Sequence, residues 1–263
     1  MSLAFIGSTI RAVLALVFIT GASIIGSLLA LASRLFDRSG NTVVFLARQW
    51  SRAVLWVGGV DVKVEWRGRL EPDQSYVIMA NHLSSVDIWA LFVALPVRLR
   101  MIAKKQLSRI PLFGWAMTAG RFIFIDRVNA IAARRSIEEA KARIRGGQTV
   151  VLFPEGTRSR DGKLGAFKKG GFHLAIDAGV PIVPVALKGT REIMPRGSFL
   201  LRAGRVQATV GAPIPTAGLS ETDRHKLLEQ VRTTIAEMLG ETLPGVPDKA
   251  LAAGGSTKSP IRA

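Results

Sequence analysis

The chain has 263 residues, 36 of them Lys or Arg and 19 Asp or Glu, for a formal net charge of +17. That length holds one large domain or one domain with an appendage, and that charge calls for a polyanionic partner: nucleic acid, an anionic membrane surface or a phosphorylated substrate. Hydrophobic residues make up 48%, high for so basic a chain, which favours the membrane, and the absence of cysteine excludes disulfides, thiolate metal sites and a cysteine acyl-enzyme.

Residues 12–33 carry no charge. As a helix they would run roughly 33 Å, about the thickness of a bilayer's hydrocarbon core. Thr20, Gly21, Ser23, Gly26 and Ser27 weaken that signal, so a spanning helix and one lying in a single leaflet both stay open. A signal peptide fits less well, because the run exceeds an h-region and leads to no convincing small-residue cleavage site. Residues 42–58 read as a second helix, with Leu46, Trp50, Val54 and Val57 on one side and Arg48 and Arg52 on another. A basic amphipathic helix after an apolar one suggests a hairpin seated in one leaflet, or a helix packed on the domain that follows. Arg34, Arg38, Arg48 and Arg52 follow the apolar run and only Arg11 precedes it, which places the bulk of the protein on the cytoplasmic side.

From Asp61 strands and helices alternate. Strands are expected at 62–66, 76–80, 99–103, 122–125, 150–153, 182–187 and 206–210. Helices are expected at 86–95, capped by Ser84 or Ser85, at 130–145, at 172–178 and from the Ser220–Asp223 capping box to about Leu239. Two prolines around 182–187 argue for an edge strand or a shaped wall. The pattern predicts an α/β fold: one mixed-sheet domain over residues 59–240, membrane-anchoring helices over 1–58, and a disordered tail over 241–263.

Four segments stand out chemically. Asn81-His82-Leu83-Ser84-Ser85-Val86-Asp87 lies where a buried strand meets a helix. A carboxylate one turn into that helix can bond one ring nitrogen of His82 and leave the other facing substrate, as in a Ser-His-Asp triad. Read alone, His82 is equally a turn residue and Asp87 a first-turn acid. Phe153-Pro154-Glu155-Gly156-Thr157-Arg158-Ser159 offers a hydroxyl, a guanidinium and loop N–H groups to a phosphate. Glu155 is odd in such a site; it would orient the Arg or bond a substrate hydroxyl. The loop is not a P-loop, since its Gly-to-Gly-Lys spacing is one residue too long and Leu164 stands where Ser or Thr should be. Arg98, Arg100, Lys104, Lys105, Arg109, Arg121 and Arg127 form a cationic stretch. Val180-Pro181-Ile182-Val183-Pro184 alone is ordinary packing. No G-x-S-x-G elbow occurs, and His173 and His225 have no neighbours at metal spacing. The few aromatics follow the apolar pattern and no nucleic-acid motif occurs, so a nucleic-acid partner is not expected.

The order N-H-x-x-x-x-D, F-I-D-R, F-P-E-G-T-R-S, V-P-I-V-P resembles the glycerolipid acyltransferase family, specifically the 1-acylglycerol-3-phosphate acyltransferases, over roughly residues 60–210. The resemblance implies that His82 is the general base and Asp87 orients it. It implies a phosphate site at Glu155, Gly156, Thr157 and Arg158, joined by Arg127, with Lys104 and Lys105 also in contact. It further implies an acyl thioester donor, acyl-CoA or acyl carrier protein, and a lysophospholipid acceptor, most plausibly lysophosphatidic acid, at the membrane. Direct transfer without an acyl-enzyme, metal or cofactor is expected, at the cytoplasmic face of a bacterial-type inner membrane. The alternatives are another lysolipid acceptor, such as lyso-ornithine lipid, and a non-catalytic lipid-binding protein.

Overall fold

Short strands that are apolar throughout need cover on both faces of their sheet. The computed structural model, which describes residues 3–71, 73–126 and 130–242, supplies it in two layers. The elements in chain order are α1 (Leu3–Ala32), α2 (Asn41–Val57), β1 (Val60–Trp66), β2 (Val77–Ala80), α3 (Val86–Ala94), β3 (Leu99–Lys104), α4 (Phe113–Ala119), β4 (Ile123–Ile125), α5 (Ala130–Arg145), β5 (Thr149–Leu152), α6 (Gly170–Ala178), β6 (Ile182–Lys188), α7 (Thr190–Ile193), β7 (Gly204–Val210) and α8 (Arg224–Leu239).

One seven-stranded sheet runs β1-β7-β6-β2-β5-β3-β4, and every pairing is parallel except β6 with β7. Side chains alternate across it as the pleat requires. Ile78, Ala80, Val151, Val183 and Val185 join the core beneath α2 and α3. Val77, Met79, Val150, Leu152 and Ile182 join the core beneath α5, α6 and α8. Each fully buried aliphatic side chain contributes about 1.5–3 kcal/mol. The predicted mixed sheet and every predicted strand are present. The predicted tail lies, from residue 243 on, outside the described residues.

One expectation is corrected. The strand bearing Pro184 is no edge: β6 lies between β2 and β7, and all but its last residue is buried. Pro184 shares strand parity with Ile182, which exchanges both backbone bonds with Ile214. Its missing N–H therefore faces the bend at 211–214, where the ladder to β7 has ended. The chain comes close there: Gly211 donates to the Pro184 carbonyl, and a Cβ on Gly211 would lie 2.8 Å from Pro184 Cγ. Of the two serines expected to cap α3, Ser85 makes no capping bond and Ser84 does, its Oγ accepting from the N–H of Val86, while Asp87 accepts from the N–H groups of Leu83 and Ser84.

The N-terminal helices differ in what they cover. Residues Val13–Leu35 are long and apolar enough to cross a membrane, and Leu14, Val17 and Ile25 are 62%, 65% and 61% exposed. By contrast, α2 packs on α3 and β1, burying Val44, Val54 and Leu55. Arg48, expected on a polar face, donates to the carbonyls of Phe92, Leu95 and Val97 at the end of α3.

A second arginine ties the turn between α1 and α2 to the sheet. Arg100 on β3 is 2% exposed and donates to the carbonyls of Gly120, Arg98 and Ser39 and to Asn41 Oδ1. Burial pushes its guanidinium down to about 10, still charged at neutral pH. Asp37 closes the same turn, accepting from Ser39, Gly40 and Thr42, and the Ser39 hydroxyl bond leads the causes that lower its pKa. Arg100→Met strands four acceptors, and we expect it to cost about 3 kcal/mol in unfolding measured in detergent. Arg100→Lys should recover only part, because an ammonium cannot span the four acceptors.

Candidate active site

The site forms at the carboxyl ends of β2 and β5, neighbours in the sheet. β2 is followed at once by Asn81, which is 1% exposed. Its side chain exchanges two bonds with the backbone of Leu187 on β6, at 2.7 and 2.9 Å. The amide thus replaces the next rung of the ladder and turns the chain out, with His82 immediately after.

His82 is held on every side. Its Nδ1 lies 2.8 Å from Asp87 Oδ2. Its ring stacks on Phe153, centroids 3.8 Å apart at 10°. Its N–H donates to Glu155 Oε1 at 2.8 Å, and its carbonyl accepts from Ser159 at 2.8 Å. Asp87 is fully buried, and the same Oδ2 accepts from Leu83 and Ser84 at 2.7 and 2.8 Å. A carboxylate acceptor on Nδ1 leaves the proton there and the lone pair on Nε2. Nε2 has no partner among the described residues and borders a cavity.

That cavity measures about 580 Å³. His82, Ser85, Lys104, Thr157, Arg158 and Arg196 supply its polar lining together with Ser23 and Ser27 of α1. Most of the rest is apolar and comes largely from α1 to α4, including Gly26, Leu46, Trp50, Trp89, Phe92 and Met117. Trp50 and Trp89 meet edge-on at 5.8 Å. A Cβ on Gly26 would meet nothing within 4 Å. A polar concavity of about 380 Å³, lined by residues including Arg160 and Lys163, shares Thr157, Arg158 and Arg196 with the first.

The loop after β5 divides its labour. Glu155, expected at the phosphate, is 7% exposed and spends both oxygens on backbone, accepting from His82 and Gly165. Burial raises its pKa, against those two bonds. It is a strut between two loops. Gly156 has φ 77°, a left-handed backbone that favours glycine, and the end of the Lys168 side chain comes within 2.9 Å of where a Cβ would lie. Thr157 is exposed toward both cavities, and Arg158 Nη1 reaches Ser85 Oγ at 3.2 Å. Lys104 lines the apolar cavity, but Lys105 does not reach it and pairs with Asp126 at 3.1 Å. Arg127 lies outside the described residues.

Sequence reasoning passed over Phe153 as a stacking platform, and Lys168 and Arg196 as cations at the site. Lys168 had a faint signal in the basic pair that follows the loop. Arg196 had none, being distant in the chain. His173 bonds Glu221 and Arg224 on the far layer, away from this chemistry.

Comparison with known proteins agrees with this geometry. A family model described as Acyltransferase matches residues 61–188. 1-Acyl-sn-glycerol-3-phosphate acyltransferase alpha of Homo sapiens is 33% identical over 189 residues, 72% of this chain and 67% of that protein. The 1-acyl-sn-glycerol-3-phosphate acyltransferase of Cocos nucifera is 32% identical over 209 residues, 79% of this chain and 67% of that protein. The chain thus spans about two thirds of the length of these curated relatives. The crystal structure of the 1-acyl-sn-glycerophosphate (LPA) acyltransferase PlsC from Thermotoga maritima superposes with a TM-score of 0.74 at 27% identity, covering 90% of this chain and 98% of that one. The chain belongs to the acyltransferase family of the 1-acyl-sn-glycerol-3-phosphate acyltransferases.

Proposed function

We propose that this enzyme moves a fatty acyl group from an acyl thioester, acyl-CoA or acyl carrier protein, to the sn-2 hydroxyl of lysophosphatidic acid, giving phosphatidic acid. The carrying observation is a His82–Asp87 pair on a largely apolar cavity whose lining also carries Lys104, Arg158 and Arg196.

His82 Nε2 takes the hydroxyl proton while Asp87 holds the ring and stabilises the imidazolium. The oxygen attacks the thioester carbonyl and a tetrahedral oxyanion forms. Collapse breaks the C–S bond, and the imidazolium returns its proton to the leaving thiolate. Atoms and charge balance without an acyl-enzyme. Arg158, Thr157, Lys168 and Arg196 surround the space for the acceptor's phosphate, with Lys104 beside it, and Arg127 joins them by family resemblance. Two points of attachment, phosphate and acyl chain, align the hydroxyl with the base. The exposed apolar face of α1 suits an enzyme whose acceptor and product live in the bilayer. The cations after α1 favour the cytoplasmic face of a bacterial-type inner membrane.

The test is thiol release by purified protein in detergent, given oleoyl-CoA with lysophosphatidic acid or lyso-ornithine lipid. The chain has no cysteine, so a thiol reagent reads the released CoA alone. Release should require lysophosphatidic acid. Release with lyso-ornithine lipid only would replace the acceptor, and none with either acceptor or with acyl carrier protein donors would refute the reading. His82→Ala should abolish turnover, and Asp87→Asn should lower kcat by about 10³–10⁴-fold through the wrong tautomer, both with unchanged circular dichroism. Glu155→Gln puts an NH₂ against one backbone donor; displacement of His82 should lower kcat about 10²-fold with KM little changed. Gly26→Phe fills cavity space and should shift preference toward shorter acyl chains in a donor series, leaving turnover with the shortest donors intact.

A further inference from the structure

Outside the N-terminal helices, Phe199 is 80% exposed, with Leu200 beside it at 46%. They sit in the loop 195–203, which is built rather than slack. Ser198 donates to the Pro195 carbonyl, and Gly197 has φ 86°, which gives a tight turn before the apolar pair. Leu200 N–H donates to Ser198 Oγ, Arg202 to the Ile193 carbonyl and Gly204 to the Gly59 carbonyl. Leu201 turns inward and is 5% exposed, so close to Gly58 that a Cβ there would meet its Cδ2 at 2.1 Å. A loop pinned at both ends and in its middle holds Phe199 outward by construction.

We propose that this loop is a second seat on the lipid surface, separate from α1, which sets the mouth of the cavity at headgroup level. The purpose, though not the contact, rests on the lipid-acyltransfer reading above. Three observations select a membrane as the occupant. The first is continuity. The loop docks at Gly58, just past the end of α2, where Trp56 is 82% exposed. Ala30 packs in one cluster with Val43, and Ile19 packs in another with Trp50 and Val54, so α1 and α2 run antiparallel. α1 has 30 residues and α2 has 17. At 1.5 Å per residue α1 therefore continues roughly 20 Å past the end where the loop sits. A bilayer that takes up α1 meets Trp56, Phe199 and Leu200 together.

The second is charge. Arg196 and Arg202 flank the apolar pair, the arrangement that pairs buried aromatics with anionic headgroups. The third is position. Arg196 donates to the Arg158 carbonyl and lines both cavities. Seating Phe199 and Leu200 below the headgroups puts Arg196 and Arg158 at the depth of a lipid phosphate.

Because the chain lacks cysteine, one introduced cysteine is a unique label site. Full-length Phe199→Cys would carry an environment-sensitive NBD fluorophore in vesicles of phosphatidylcholine and phosphatidylglycerol containing doxyl-chain lipid. Gln230→Cys on α8, on the opposite layer, is the control. The label at 199 should shift to the blue and be quenched by doxyl lipid, and the label at 230 should do neither. Equal behaviour at the two positions overturns the proposal. So does a shift at 199 that follows protein concentration in lipid-free detergent, which assigns the patch to a second copy of the chain. In activity, the double variant Phe199→Ser, Leu200→Ser should raise KM several-fold for vesicle-borne lysophosphatidic acid and leave a water-soluble short-chain acceptor unaffected. An equal loss with both acceptors would make the pair structural and refute the seat. The quenching result needs no turnover, so it stands or falls apart from the choice of acceptor.

Discussion

One oxygen of Asp87 organises the site. Oδ2 receives the His82 ring and the N–H groups of Leu83 and Ser84, all within 2.8 Å. The two backbone bonds fix the turn between β2 and α3, and the ring bond fixes the imidazole on that turn. Structure and chemistry thus share an atom, and the spacing of five residues follows from it. A carboxylate one turn into a helix can reach back to the residues before the first turn, and only there can it reach a side chain too. Phe153 and Glu155, from the neighbouring strand end, close the cage over the ring and under the peptide. The parallel pairing of β2 with β5 sets these pieces side by side.

The cavity depends on a different constraint. Its walls come from the N-terminal helices as well as the sheet domain, so its shape requires the hairpin to sit in one place on the domain. Arg48 and Arg100 secure that. Each is a guanidinium spread over several carbonyls from another element, one at the end of α3 and one across the α1–α2 turn and the approach to β4. The hairpin is therefore a structural wall of the cavity, and moving it would open the space that His82 lines.

What the sequence revealed follows from how local each signal is. The β2 turn, the His82–Asp87 spacing and the alternating elements are short-range patterns, and they appear where expected. The Ser220–Asp223 capping box is present as read, though a turn of 3₁₀ helix precedes α8. Pro184 misled because one residue's missing donor matters only against its particular neighbour, and that neighbour is the bend at Gly211. Glu155 misled because a carboxylate in a basic loop looks like substrate chemistry, whereas its two backbone bonds come from residues 73 positions back and 10 positions on. Lys105 looked like its neighbour Lys104 until the fold brought Asp126 to it. The cavity had no local signal, since six elements and several loops contribute to it.

The net charge of +17 also changes meaning once the side chains are placed. A basic composition invites the reading that cations gather to bind an anion. Many of the arginines here instead hold carbonyl oxygens. Arg48, Arg100, Arg143, Arg145, Arg191 and Arg196 each donate to backbone of another segment. An always-charged fork of five donors suits this work, because loops and strand ends leave carbonyls unpaired and a guanidinium can serve several at once. The cations that line the two cavities are few: Lys104, Arg158, Arg160, Lys163 and Arg196. Arg196 belongs to both groups: it anchors the site loop through the Arg158 carbonyl while its charge lines the space where a phosphate would sit.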